Sequence, residues 1–218
     1  MFSIKKYFLY GIILFLFPCA LLANIGVEHY KSYDFLVGGF NMHNYRQCIR
    51  LIKKCPREEK GRFLNQTCVN RVLNTEAMCY QYKSLLQLLD MPSIMITLKK
   101  LGMFAIVKIH FIADGQDWYQ IITPEGKLID TKIDPRDLSK FFAKKYAGRS
   151  FIVVNWSAPI YHLYHYRGVR SITVILRVTE GYRAGPVVGW ARVKFDFTKD
   201  GKLLKVILLD FGKRKKLG

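Results

Sequence analysis

The sequence lacks the short motifs that identify several common classes of enzyme. No glycine-rich loop that could cradle a phosphate is present, and Ser157 is not flanked by the glycines of a nucleophile elbow. The cysteines of an exported chain are expected to be oxidised, so they would not act as nucleophiles. These absences predict that the protein has no cofactor, and they give no support to a particular catalytic mechanism.

Acidic residues are scarce. The 218 residues include 16 Asp and Glu against 35 Lys and Arg, a formal net charge of +19. Half of the residues are hydrophobic, which is typical of a globular protein and excludes a disordered chain. The basic surplus favours anionic partners. We expect an anionic envelope component or an acidic partner protein, and membrane-surface contact is compatible with the charge. Nucleic acid is not an expected partner, because exported proteins seldom meet it.

The basic surplus is concentrated late in the chain. Residues 112–137 contain six acids and three bases, whereas residues 138–218 contain seventeen bases and four acids. Aromatic residues lie among these bases, and such a mixture can stack on and neutralise a polyanion. The alternative is a solvated basic surface without a specific partner. The candidate anion-binding residues are Arg167, Arg170, Arg183, Arg192, Lys213, Arg214, Lys215 and Lys216.

The first 23 residues have the three parts of an export signal. Lys5 and Lys6 precede an apolar run from Tyr7 to Ala23, and Pro18 would break a spanning helix near its end. We therefore expect residues 1–23 to be a cleaved signal peptide and the rest to be extracytoplasmic, either periplasmic or secreted. The run reaches the lower limit for a membrane span, so an uncleaved N-terminal anchor is the alternative.

Four of the five cysteines fall in a segment with helical periodicity, between Asn41 and Asp90. Two cysteines of one helix cannot bond, because seven residues already rise about 10 Å and a disulfide needs Cα atoms within about 7 Å. Nested pairing across an antiparallel helical hairpin remains, and it needs a break in the second helix near Asn74 and Thr75. The alternative is four buried free thiols. The predicted disulfides are Cys48–Cys79 and Cys55–Cys68.

From Phe104 onward the hydrophobic period changes to two, which predicts strands. A hairpin is predicted from residues 118–122 and 127–131, and five later strands at 151–155, 161–166, 171–179, 187–197 and 203–211. Asp134 and Pro135 suit the start of a helix that ends at Gly148. Its buried stripe is expected to be Leu138, Phe141, Phe142 and Tyr146.

These patterns predict an α+β fold. An N-terminal disulfide-linked helical hairpin within residues 24–102 is followed by a mainly antiparallel sheet carrying one helix within residues 103–212, and residues 213–218 form a basic tail. In outline this arrangement is similar to cystatin-like and NTF2-like folds. The similarity concerns fold alone and implies no function.

The function expected from these features is an exported, non-catalytic binding or scaffold protein that acts at an anionic surface or within a cell-envelope assembly. The alternative is an exported, hydrolase-like enzyme, whose histidine and carboxylate site would draw on His110, Asp114, Asp117, His162 and His165. His162 and His165 are candidate metal ligands by residue type. Residues three apart on a strand face opposite ways, however, so no metal site is predicted. Convergence of the five side chains in one cleft would favour the enzyme.

Overall fold

A computed structural model describes residues 32–34, 39–58, 64–92, 95–111, 115–164 and 168–213. The fold is α+β, as predicted, and consists of two antiparallel sheets with helices against the outer face of the first. The expected signal peptide and residues 214–218 lie outside the described residues. Within the described part of the chain, no helix is both long and apolar enough to cross a membrane.

The helical layer is built from α1 (Met42–Ile52), α2 (Gln66–Thr75), a short 3-10 helix (Ala77–Cys79) and α3 (Tyr80–Leu89). Asparagine side chains cap the first two helices: Asn41 accepts hydrogen bonds from the amides of His43 and Asn44, and Asn65 accepts one from the amide of Cys68. At Glu76 the backbone becomes extended (φ −92°, ψ 113°), which places a break directly after Thr75. The predicted break is therefore confirmed.

Both predicted disulfides are present. Cys48 is bonded to Cys79 with 5.0 Å between Cα atoms, and Cys55 is bonded to Cys68 with 5.7 Å. The break after Thr75 shortens the second arm of the hairpin, which lets the outer pair meet although its segments differ in length. Disulfides persist in oxidising compartments, so the pairing is typical of an extracytoplasmic protein.

The first sheet has the strand order β1-β5-β4-β3-β2, with every neighbouring pair antiparallel. The short strand β1 and the edge strand β2 come from the segment before residue 103, and the sequence periodicity did not predict them. The strands are β1 (Ser32–Asp34), β2 (Ile96–Leu101), β3 (Phe104–Phe111), β4 (Gln116–Ile122) and β5 (Lys127–Asp130).

The second sheet contains the five late strands that the sequence predicted, in the order β10-β9-β8-β6, with β7 also paired to β8. The β9–β10 turn is tight, and Gly201 adopts φ +93° there, a conformation that favours glycine. The strands are β6 (Phe151–Asn155), β7 (Ile160–Tyr164), β8 (Val169–Glu180), β9 (Val187–Phe197) and β10 (Leu203–Gly212).

The first sheet is buried on both faces, because successive side chains of a strand point to opposite sides. From β3, Val107 and Ile109 pack against the helical layer, forming the first core. Ile106 of the same strand and Ile121 of β4 face the second sheet, where they form the second core with residues such as Phe195. The first sheet is therefore the middle of three layers.

A buried polar junction joins the two sheets where β5 ends. The Asn155 side chain of β6 accepts a hydrogen bond from the Tyr119 amide of β4 (3.1 Å) and donates one to the Thr131 hydroxyl (3.0 Å). The Thr131 hydroxyl donates to the Tyr119 carbonyl. These bonds satisfy backbone groups of β4 that β5 no longer reaches.

The predicted helix after Asp134 is present but interrupted. It consists of α4 (Pro135–Leu138) and α5 (Lys140–Lys145), and the backbone between them is extended at Ser139 (φ −152°, ψ 115°). Asp134 caps α4 through the Arg136 amide, as predicted. The expected buried stripe is wrong at Phe141, which is 68% exposed, because the extended residue at 139 changes the direction in which the second helix presents its side chains.

Candidate anion-binding surface

The structure places the predicted anion-binding residues in different surroundings. Arg167, Arg214, Lys215 and Lys216 lie outside the described residues. Arg170 is occupied within the fold: its Nε donates to the Lys199 carbonyl (2.8 Å) and its Nη1 donates to the Tyr161 hydroxyl (2.8 Å). Arg170 therefore fastens the β9–β10 turn to β7, which leaves little of its guanidinium for a ligand.

Arg192 has a partner of opposite charge. Its guanidinium lies 2.6 Å from the carboxylate of Asp210 on the neighbouring strand β10, and both side chains are exposed. An exposed pair of this kind contributes little to stability, and the negative charge of Asp210 weakens the attraction of Arg192 for an external anion. Arg183 lies in the turn between β8 and β9, and Lys213 directly follows β10.

Aromatic packing holds α5 against the second sheet. Phe142 packs on Phe211 of β10 with 4.6 Å between ring centroids, and Tyr146 packs on Phe151 of β6 at 5.4 Å. Phe211 can approach closely because Gly189 of β9 has no side chain, and a Cβ there would lie 2.7 Å from the ring. These rings close the second core at its end and leave the other side of α5 facing outward.

The β8–β9 turn is tied to the same place by charge and backbone hydrogen bonds. Arg149, which follows α5, forms a two-pronged ion pair with Glu180, with both N–O distances 2.7 Å. The amide of Gly181 donates to the Ser150 carbonyl (2.9 Å). The start of the turn, just before Tyr182 and Arg183, is therefore held against the segment that follows α5.

We name this region the basic end. It carries six bases and one acid on its rim, the acid being Glu180, which is already paired with Arg149. Its two large apolar side chains, Phe141 and Tyr182, are 68% and 64% exposed. The basic end consists of Lys140, Phe141, Lys144, Lys145, Arg149, Tyr182, Arg183 and Lys213.

The bases of α5 were missed by the sequence analysis. Lys140, Lys144 and Lys145 are exposed, and none of them forms an ion pair with any described residue. A signal for them existed in the sequence, because no Asp or Glu occurs between Asp137 and Glu180. Because charge was counted over all of residues 138–218, the shorter stretch of residues 138–179, which has no acid, was not recognised.

The positive field of the basic end reaches the first sheet. Lys132, just after β5, lies 3.7 Å above the Trp118 ring, and Arg183 lies 5.4 Å from the Phe111 ring centre. Burial lowers the pKa of Lys132; Asp130 partly offsets this, and the nearby charge of Arg183 lowers the pKa further. Lys132 and Arg183 are therefore close enough to influence each other electrostatically.

Of the residues proposed for the alternative enzyme site, three are described: His110 and Asp117 are in contact, and His162 lies in the other sheet. His110 contacts Asp117 (Nδ1–Oδ1 2.9 Å), and Lys108 contacts the other oxygen of the same carboxylate (2.9 Å). Burial alone would raise the pKa of Asp117, but the hydrogen bonds from Lys108 and His110 hold it below its usual range. His162 is in the second sheet, next to Tyr161.

Tyr161 packs on Phe104 at the start of β3, with 6.1 Å between ring centroids. His110 is six residues further along that strand, a rise of about 20 Å. Asp114 and His165 lie outside the described residues. Among the residues that the structure describes, no three His, Cys, Asp or Glu side chains are grouped so that they could hold a metal ion.

Comparison of the chain with protein-family models, with curated proteins and with solved structures gives no match. What the protein binds therefore has to be inferred from the charge, exposure and contacts of its own residues.

Proposed function

We propose that this protein is exported and binds an anionic surface of the cell envelope through its basic end, without catalysing a reaction. The observation that carries the proposal is the set of exposed lysines on α5 that have no ion-pair partner among the described residues. Their charges are therefore balanced by mobile counterions until an anionic surface replaces those ions.

The size of the expected attraction follows from the number of charges. A lysine or arginine near an anionic surface contributes about 1 kcal/mol, and the contribution falls as salt screens it. Lys140, Lys144, Lys145 and Lys213 together would supply about 4 kcal/mol, a thousandfold increase in affinity. Residues 214–218 include three further bases, Arg214, Lys215 and Lys216, which lie outside the described residues.

Export is supported by two independent features. Lys5 and Lys6 followed by the apolar run have the form of a signal peptide. The two disulfides are typical of an oxidising compartment. Binding is favoured over the hydrolase alternative because His110 and His162 lie in different sheets, and His110 is about 20 Å along β3 from Phe104, which packs on Tyr161 beside His162.

The test compares two pairs of adjacent, exposed lysines. Lys144→Gln with Lys145→Gln removes two charges from the basic end, whereas Lys99→Gln with Lys100→Gln removes two from the edge strand β2. Retention of the purified exported protein on heparin, lipopolysaccharide and phosphatidylglycerol vesicles is measured from low to physiological salt. We expect the first pair of substitutions to weaken binding about thirtyfold, corresponding to about 2 kcal/mol.

The β2 pair is the control for net charge, since both variants lose the same number of charges. Equal weakening by the two pairs would mean that overall charge, and not the basic end, is responsible. Binding that ignores salt, or no binding of the wild type to any of the three anionic surfaces, would refute the proposed function.

A further inference from the structure

We propose that the anionic surface is a phospholipid membrane, and that Phe141 and Tyr182 enter its headgroup layer while the surrounding bases bind lipid phosphates. This inference rests on the proposed function and identifies its target. It is carried by a second property of the basic end, the exposure of two aromatic side chains among the bases.

Phe141 is exposed although its neighbours in α5 are used for packing. Phe142 and Tyr146 both contact Phe211 of the second sheet. Phe141 packs on Phe142 in a T-shaped arrangement, with 5.7 Å between ring centroids, and remains 68% exposed. Burial of a phenylalanine side chain stabilises a fold, and Phe141 does not make that contribution here.

A chain of contacts connects Phe141 with the turn that carries Tyr182. The Lys145 ammonium lies 5.9 Å from the Phe141 ring centre and 5.2 Å from that of Tyr146, and Arg149 lies 5.8 Å from Tyr146. Arg149 is paired with Glu180, two residues before Tyr182 in the turn. The aromatic rings are thus interleaved with bases and not placed on a separate apolar patch.

The positive charge of the basic end is compatible with an anionic polysaccharide as well as with an anionic lipid surface. The exposed aromatic side chains favour the lipid surface. A polysaccharide presents charged groups and hydroxyls, and it has no apolar layer that would accept a phenylalanine ring. A bilayer presents phosphates at its surface and hydrocarbon a few ångströms below. Lysine stems and tyrosine rings suit that boundary, because each has an apolar body and a polar end.

The contact would be peripheral. Helix α5 has six residues, far fewer than a membrane span requires, and Tyr182 is in a tight turn. Binding of this kind combines a small buried apolar area with attraction to anionic headgroups, and neither part is sufficient alone. Removal of one ring should therefore weaken attachment to vesicles markedly while leaving the electrostatic part intact.

The first experiment compares two exposed aromatic residues. Phe141→Ser removes the ring from the basic end, and Tyr80→Ser removes a ring that is equally exposed (67%) but lies in α3, in the helical layer. Affinity is measured for vesicles of phosphatidylglycerol and phosphatidylcholine and, separately, for heparin. We expect Phe141→Ser to weaken vesicle binding about tenfold and to leave heparin binding unchanged, and Tyr80→Ser to change neither.

A second measurement reports depth directly. Phe141→Trp and Tyr80→Trp are each mixed with vesicles whose acyl chains carry bromine, which quenches tryptophan that reaches the hydrocarbon. Quenching beyond that of the wild type is expected for Phe141→Trp alone, together with a shift of its emission to shorter wavelength.

The outcomes separate the two proposals. If the wild type binds heparin and vesicles in a salt-dependent way but Phe141→Ser binds vesicles normally, the lipid inference is wrong and the proposed function stands. Equal weakening of heparin and vesicle binding by Phe141→Ser would also overturn the lipid inference. If the wild type binds neither, the proposed function fails, and the inference fails with it.

Discussion

The helical layer and the second sheet cover opposite faces of the first sheet by different means. The three α-helices have 10 or 11 residues and are joined by two disulfides. Strands β8 to β10 have 10 to 12 residues, and no disulfide links any of the described residues of that sheet. Helices of three turns bury a narrow stripe, so covalent bonds supplement their packing, whereas long paired strands bury a broad face without them.

The second core is stabilised by the packing of apolar side chains and contains no disulfide among the described residues. On β8, Ile172, Val174, Leu176 and Val178 are all fully buried, and on the paired strand β9 they lie beside fully buried residues such as Phe195 and Val193. Alternation along both strands directs an uninterrupted apolar face toward the first sheet. We therefore expect truncation of a large side chain in this core to cost at least as much as the loss of the shorter disulfide loop in the helical layer.

The largest effect is expected from Phe197→Ala. Phe197 is fully buried, and its ring packs on Phe104 with 4.5 Å between centroids. Its truncation removes apolar contact and leaves a cavity, so we expect a loss of about 3 to 5 kcal/mol in the free energy of unfolding. The measurement is urea unfolding with the disulfides intact.

Phe141→Ala is the matched control for that substitution, since the same side chain is truncated where it is exposed. A change within about 0.5 kcal/mol is expected there. Similar losses for the two variants would show that the second core is not packed as described, or that Phe141 is buried in solution.

The second prediction compares the disulfides with each other. The Cys48–Cys79 bond spans 31 residues and Cys55–Cys68 spans 13, so the first restricts the unfolded chain more. Relative to a variant with all four cysteines replaced by alanine, we expect the first bond alone to stabilise by about 4 kcal/mol and the second alone by about 3 kcal/mol. Thermal or urea unfolding of the two single-disulfide variants measures the difference, and the opposite order of stability would contradict the chain-entropy explanation.

The smallest expected effect concerns the junction between the sheets. Asn155→Ala leaves the buried amide of Tyr119 without its acceptor, which should cost about 1 to 3 kcal/mol. Asn74→Ala, at an exposed position near the end of α2, is the control and should change stability by less than about 0.5 kcal/mol. Equal stability of the two variants in urea would mean that the hydrogen bonds of Asn155 do not hold the sheets together.

The parts of the fold that follow local chemistry could be read from the sequence. Cysteine spacing gave both disulfides and the break after Thr75, and Asp134 with Pro135 marked a helix start. Strand β2 was missed although Ile96 and Leu98 point inward and Thr97 outward, because its alternation is short and follows a helical segment. The division into two sheets depends on which distant strands pair with each other. Hydrophobic alternation within one strand does not show its partners.

The basic end was predicted only in part, for a similar reason. Sequence counts located the surplus of bases after residue 138, and Arg183 and Lys213 were among the candidates. Phe141 is exposed because the backbone at Ser139 is extended. Arg170 is used within the fold because it donates a hydrogen bond to the Lys199 carbonyl across the sheet. Neither has a signature in the neighbouring residues.

The nested disulfides affect what happens when a protease cleaves the backbone between Cys55 and Cys68. Arg57 is exposed and lies between Cys55 and Cys68, so a protease that cleaves after basic residues has an accessible target there. Both disulfides span such a cut, and the two resulting chains would remain joined at two points. The helical layer would thus tolerate a broken backbone at this loop, and the damage would become visible only when a reductant separates the pieces.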